Sequence, residues 1–275
     1  MITPQVAYLG PEGTFSHLVA RRRFGDNAVY HPVPSVRDVF DFVKASPDNL
    51  GTVPIENSSG GAILDTVDIF INDGEGVRVL DEVAVNIRLA LLGPAGIENP
   101  KAVYSHFAPL QHCRGWIRDN LPSARAQAVS STSEAARRAA AEGDAVALGN
   151  REAAPLHGLE VLHYPVASDI ANVTHFLTIG QNGCSEGDKS TWVVKLVDAV
   201  GSLCSFLTPL KDSGINLSRI VSRPKIGEPN SYMFFIDVNC PPDLAQLHAA
   251  MEKAGEHCSE VRCVGIYPVL PTFDS

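Results

Sequence analysis

The sequence predicts a layered α/β chain that ends in a smaller α+β unit. Three observations carry this. Short apolar runs alternate with helical patterns through the first two thirds. A polar, glycine-rich stretch at 181–188 interrupts them, and the elements after it follow the order strand, helix, strand, strand, helix, strand. At 275 residues, 45% hydrophobic and 19% charged, the chain is long enough to bury sizeable cores in two domains.

The first strand is read at residues 6–9 and ends at Gly10; a helix follows over 15–24 with Thr14 placed to cap it. Residues 36–44 form a second helix with Ser35 as N-cap, 50–55 a strand, and 64–70 a helix closed by Gly74 and Gly76. Between 77 and 92 two extended runs are parted by polar Asp81 and Glu82, which reads as the crossing from one lobe to another. Residues 101–104 open a second α/β unit with helices around 110–120 and 132–141 and a strand at 145–148; 172–179 is again a strand. Beyond the linker, strands at 190–197, 216–222, 232–238 and 261–267 with helices at 203–211 and 242–253 give a ferredoxin-like split βαβ arrangement.

A formal charge of −9 and a pI near 5.4 provide no basic field for nucleic acid. The basic cluster Arg21-Arg22-Arg23 reads as the solvated face of the first helix. No apolar run approaches a membrane span, and Met1-Ile2-Thr3-Pro4-Gln5 lacks the basic start and apolar stretch of a secretory signal, so a cytoplasmic location is expected. Cys113, Cys184, Cys204, Cys240, Cys258 and Cys263 form no CxxC pair and are expected as reduced thiols, with Cys258 and Cys263 as packing residues. With no Walker sequence, HExxH or clustered Cys/His, neither metal nor cofactor is expected.

In Gly51-Thr52-Val53-Pro54-Ile55-Glu56-Asn57-Ser58-Ser59-Gly60-Gly61 a strand delivers three polar side chains, Glu56, Asn57 and Ser58, to an open turn, a rigid mount for a small polar ligand. On their own, Asn57 and Ser58 fit a capping turn equally well. Gly10-Pro11-Glu12-Gly13-Thr14-Phe15-Ser16 is a glycine loop running into a helix N-terminus, where free N–H groups can receive a carboxylate. Further on stand Ser105-His106-Phe107-Ala108-Pro109-Leu110-Gln111-His112-Cys113, Asn172-Val173-Thr174-His175-Phe176, Gly201-Ser202-Leu203 and Val221-Ser222-Arg223-Pro224.

In that order the set resembles the prephenate dehydratase family with a C-terminal ACT regulatory domain, over essentially the whole chain. The resemblance implies a two-lobed catalytic domain like type II periplasmic binding proteins at 1–183, with lobe one about 1–79 and 170–183, lobe two about 80–169, and an ACT domain at 189–275. It implies decarboxylating loss of water from prephenate to give phenylpyruvate in phenylalanine biosynthesis, without cofactor. Thr174 is then the hydrogen-bond donor to the departing hydroxyl, and Gly13, Thr14, Glu56, Asn57, Ser58, Thr66, Ser105, His112, His175 and Phe176 hold substrate. Phenylalanine is expected as the allosteric ligand, bound between subunits of a homodimer or homotetramer by Gly201, Ser202, Leu203, Asn216, Leu217, Ser222, Arg223 and Pro224.

The chain departs from the family at five places: His175 for a usual arginine, His112 for glutamine, Leu89 for histidine, Val221 for glutamate and Ser202 for alanine. Two other readings therefore stay open: a lyase for a related cyclohexadienyl acid such as arogenate, or a prephenate decarboxylase that does not aromatise the ring, and a non-catalytic amino-acid-binding regulator.

Overall fold

The computed structural model describes residues 3–167, 171–228 and 231–275. The chain opens with β1 (Gln5–Leu9), α1 (Phe15–Phe24), β2 (Val29–Val33), α2 (Val36–Ala45), β3 (Asn49–Asn57), the short β4 (Gly61–Ala62), α3 (Leu64–Asn72) and β5 (Arg78–Asn86). It crosses into β6 (Leu89–Gly93), β7 (Ala102–Ser105), α4 (Phe107–His112), α5 (Arg114–Asn120), β8 (Arg125–Ala128), α6 (Thr132–Glu142), β9 (Ala145–Gly149), α7 (Ala153–Leu156) and β10 (Glu160–Val166). It returns through β11 (Val173–Gly180), then builds β12 (Lys189–Leu196), α8 (Ser202–Asp212), β13 (Leu217–Pro224), β14 (Tyr232–Asn239), α9 (Leu244–Gly255) and β15 (Cys258–Tyr267), and ends in β16 (Val269–Asp274).

The described residues form three sheets. Lobe one has the order β16-β5-β11-β3-β1-β2 with β4 added to β3; lobe two has β10-β6-β9-β7-β8; the third sheet is β13-β14-β12-β15. That last order, with α8 and α9 packed on one face, is the ferredoxin-like arrangement. Side-chain caps start the helices where the sequence placed them: Ser35 Oγ accepts from Asp38 N at 3.2 Å, and Thr14 Oγ1 from His17 N at 3.3 Å. Among the described residues no helix is long and apolar enough to cross a membrane.

Several elements differ from those the sequence predicts. The crossing between lobes falls at Ile87 and Arg88, because β5 runs unbroken through Asp81 and Glu82. Those two acids are buried within the strand, each gripped from an opposite face: Asp81 by Arg23 at 2.8 Å, Glu82 by groups of the third domain. Arg23 is therefore not simply part of a solvated face. The helix expected at 110–120 is two short helices parted at Cys113. Strands β2, β8 and β10 escaped notice because they are sheet edges: β2 and β10 each contain a proline and β8 is the polar run Arg-Ala-Gln-Ala.

Residues 269–274, expected within the ACT domain, instead form β16, which pairs parallel with β5 in lobe one, where Leu270 and Phe273 pack with Val83, Val85 and Phe176. The helix-free face of the third sheet is also committed to lobe one. Val193, Met233, Phe235, Val264 and Tyr267 join Val67, Phe70, Val77 and Val79 in one core. Phe70 and Phe235 meet with ring centroids 5.6 Å apart. Gly265 allows the approach, since a Cβ there would lie 2.6 Å from the Val79 carbonyl oxygen. Because Phe235 is fully buried in this shared core, Phe235→Ala should cost about 3–5 kcal/mol of stability, measured as a lower denaturant midpoint; a loss below about 1 kcal/mol would mean that the two domains hold together without this contact.

Candidate active site

β11 lies antiparallel between β3 and β5, and its register sets Thr174 opposite Asn57 and His175 opposite Glu56. Successive strand residues face opposite ways. Thr174 and Phe176 therefore look into the space between the lobes, while His175 and Leu177 look toward the third domain. The interlobe space is a cleft of about 1110 Å³, of a size to enclose a small molecule. Lobe one contributes Thr14, Phe15, Asn57, Asn172, Thr174 and Phe176, and lobe two His106, Phe107, Gln111, His112, Ser131 and Thr132.

At the centre is a hydrogen-bond relay whose polarity the backbone decides. Asn57 Oδ1 accepts from the N–H groups of Ser59 at 2.8 Å and Gly60 at 3.0 Å. Backbone nitrogens can only donate, so the other end of the amide is the NH₂ group. That group donates to Thr174 Oγ1 and to Asn172 Oδ1, each at 2.8 Å. The Thr174 oxygen thus receives a proton donor from Asn57, leaving its own hydroxyl proton free to be directed into the cleft.

No lysine or arginine lines the cleft among the described residues; His106 and His112 are its basic side chains. Helix ends take their place. Phe15 and Ser16, the first residues of α1, have no carbonyl one turn back for their N–H groups and both line the cleft. From the opposite lobe α6 presents Ser131 and Thr132, with Ser131 Oγ capping Glu134 N at 3.0 Å. Two positive helix ends thus converge on one space, which suits an anion with two acidic ends.

Several residues expected at the site lie elsewhere. Gly13, within its loop, has φ of 85°, a conformation that favours glycine, and faces Ala153, Leu156 and Ser133 of lobe two; its N–H donates to His17 Nδ1 at 3.2 Å. Thr66 is buried and donates to the Pro54 carbonyl at 2.6 Å; Ser105 is buried and donates to the Leu148 carbonyl at 2.6 Å. Ser58 Oγ accepts from Val173 N at 2.9 Å and so ties β3 to β11. Glu56 turns to Arg219 at 2.7 Å, and His175 Nδ1 donates to Glu82 at 2.7 Å, both on the far side of the sheet. His175 is thus not placed to replace a substrate-binding arginine, and Leu89 is a buried core residue. Thr14, Asn57, His112, Thr174 and Phe176 do reach the cleft.

The cleft residues missed by sequence reasoning include Ser131, Thr132, Gln111 and Asn172. Ser131-Thr132-Ser133-Glu134 carries a capping-box signal, but nothing local says which way that helix end points. On the third domain, Gly201, Ser202 and Leu203 line a groove with Lys195, Tyr232 and Phe234. Asn216, Leu217, Ser222, Arg223 and Pro224 do not, and Arg223 instead pairs with Asp68 of α3 at 2.6 Å.

A two-lobed cleft with a neutral hydroxyl–amide relay on its returning strand, joined to a βαββαβ unit, defines a periplasmic-binding-protein-like catalytic domain with a small regulatory partner. The family model for prephenate dehydratase matches residues 6–184 and that for the ACT domain residues 193–256. The chain is 33% identical over 266 residues to a bifunctional chorismate mutase/prephenate dehydratase of Pseudomonas aeruginosa, covering 96% of this chain and 73% of that one. It is 34% identical over 269 residues to the protein of the same name from Neisseria gonorrhoeae, covering 96% and 74%.

Among solved structures, prephenate dehydratase from Arthrobacter aurescens in complex with L-Phe superposes with a TM-score of 0.85 at 28% identity, covering 96% of this chain and 90% of that one. The enzyme from Staphylococcus aureus gives 0.82 at 25%, covering 96% and 99%. The chain belongs to the prephenate dehydratase family and carries a C-terminal ACT domain.

The loop beside the cleft depends on a neutral imidazole. His17 is buried, stacked on Tyr8 at 4.8 Å, and its Nδ1 must stay unprotonated to accept from Gly13. Burial lowers its pKa and Arg21 lowers it further, against an opposing pull from Glu12. The folded state then binds fewer protons than the unfolded state just below the ordinary histidine value of about 6.5. The stability this provides is complete above that value and is lost as pH falls through the window down to the lowered pKa. Wild type should therefore lose stability between pH 7 and 5 more steeply than His17→Gln, which keeps an acceptor and does not titrate; parallel melting-temperature profiles for the two would remove His17 as the cause.

Proposed function

We propose that the interlobe cleft converts prephenate to phenylpyruvate with Thr174 as the donor to the departing hydroxyl. The carrying observation is the direction of the relay: Asn57 donates into Thr174 Oγ1, so the threonine proton is the one left to offer. In the reaction the bond from the ring carbon to its carboxylate breaks, the carboxylate leaving as carbon dioxide and the electron pair staying with the ring. The released electron pair completes the aromatic ring as the opposite C–O bond breaks, and the departing hydroxide takes one proton, drawn ultimately from solvent, to become water. A threonine is too weak an acid to surrender that proton for long. Its part is a strong, pre-aimed hydrogen bond that grows as negative charge develops on oxygen, in a cleft from which water is displaced.

The N-termini of α1 and α6 receive the two carboxylates, aligning the breaking C–C bond with the ring π-system. With His106 and His112 as the basic groups at the cleft, the site carries little fixed positive charge. This favours a second substrate reading, arogenate, whose ammonium reduces net negative charge. Pure protein incubated separately with prephenate and arogenate discriminates the two by the product formed, phenylpyruvate or phenylalanine. Thr174→Ala should lower kcat by about 10²–10⁴-fold. Unchanged turnover would take Thr174 out of the mechanism, and no aromatic product from wild type would overturn the reading.

The ACT domain is proposed as the phenylalanine sensor of a homo-oligomer in the cytoplasm, a setting that the six unbridged cysteines suit. The groove around Gly201, Ser202 and Leu203 is lined in part by exposed Tyr232. Asn216 is exposed outside it, where it can complete the groove of a second copy. Calorimetry should show phenylalanine binding to wild type and at least tenfold weaker binding to Asn216→Ala, about 1.4 kcal/mol; equal affinities would place the ligand elsewhere.

A further inference from the structure

Next to the Asn57 and Thr174 rung of the β3–β11 ladder lies the rung of Glu56 and His175, facing the third domain. Arg219, on β13, reaches across the domain boundary to it. Its side chain is only 6% exposed, Nε donates to Glu56 Oε2 at 2.7 Å, Nη2 lies 3.6 Å from Glu82 Oε1, and Nη1 pairs with Asp237. Glu82 in turn accepts from His175 Nδ1 at 2.7 Å and from Lys189 at 3.0 Å. Asp237 is fixed from behind by Thr191 Oγ1 at 2.7 Å, which also meets the Tyr267 hydroxyl at 2.7 Å. Burial alone would raise the Glu82 pKa, but the His175 hydrogen bond and the Arg219 and Lys189 charges outweigh it and hold it at about 2. For Arg219, burial is likewise outweighed by Asp237, Glu82 and Glu56, which raise its pKa.

We infer that Arg219 is a positioning residue for the cleft: by clamping Glu56 and Glu82 it holds the rung that carries Asn57 and Thr174 in register. The inference rests on the dehydratase reading of that cleft. Arg219 is the cation common to three carboxylates that converge from β3, β5 and β14. Without it Glu56 loses its ion-pair partner and faces two buried acids, of which Glu82 keeps Lys189 and His175 as partners among the described residues, so the strand end must move to relieve repulsion. Consecutive Cα atoms are about 3.8 Å apart, and a displacement of Glu56 is passed to Asn57. A misplacement of about 1 Å in a positioned donor is enough to cost up to about 100-fold in rate.

The test measures prephenate turnover, KM and melting temperature for Arg219→Met, Arg219→Lys, Glu56→Gln and Asp68→Asn. Asp68→Asn is the control, since it breaks the Arg223 pair, which crosses the same domain boundary on α3. Arg219→Met should lower kcat at least tenfold with KM changed by less than threefold. Arg219→Lys should recover part of the loss, and Asp68→Asn should keep kcat within twofold of wild type. Should Arg219→Met fail to fold, Glu56→Gln decides: it leaves Arg219 paired with Asp237 and should lower kcat about three- to tenfold. Wild-type kcat in Glu56→Gln, or equal kcat in Arg219→Met and Asp68→Asn, overturns the inference while the dehydratase reading stands. No turnover by wild type overturns both.

Discussion

The return of the chain as β11 between β3 and β5 is the constraint on which the rest depends. Its pairing with β3 joins residues more than a hundred positions apart and brings Thr174 within hydrogen-bond reach of Asn57, and its pairing with β5 closes lobe one. It also divides the strand's side chains between two environments, because neighbours on a strand face opposite ways. One face supplies the cleft and the other is bonded to the regulatory domain. A slip of one residue would exchange them, placing His175 in the cleft and Thr174 under the ACT sheet.

The cleft manages charge economically. A protein of net charge −9 that binds a dicarboxylate must create attraction locally. The cleft offers two helix N-termini from opposite lobes for this, together with neutral donors whose orientation the backbone sets. Neutral donors cost less to desolvate than a buried arginine, and they leave the strong ionic groups behind the sheet. There Glu56, Glu82 and Asp237 are bonded to Arg219, Lys189 and His175 in a network that crosses the domain boundary.

That boundary is a continuous core. The helix-free face of the ACT sheet shares Phe235, Val193 and Tyr267 with Phe70 and Val79 of lobe one, and β16 runs back into the lobe-one sheet. A regulatory domain attached in this way cannot move without repacking catalytic-domain residues, so a change within it has a mechanical route to the cleft. Packed cores transmit strain because they contain few voids in which to absorb it.

The sequence by itself determined the elements with strong local signals: α1 and α2 with their Thr14 and Ser35 caps, the apolar strands β1, β3 and β9, and the six-element order of the ACT unit. It also pointed to Thr174 and Asn57, through motifs whose order resembles a family. Edge strands such as β2 and β8 were not legible, because prolines and polar residues are tolerated where one side of a strand has no partner. Nor was the sense of Asp81 and Glu82, which read as a break but are buried ion-pair partners within β5. Only the tertiary structure decided which side of each functional strand meets the cleft. The identities of Glu56 and His175 say nothing of Arg219, which stands well over a hundred residues from Glu56; their roles depend on pairing register and on which domain covers the opposite face, and both are set by long-range packing.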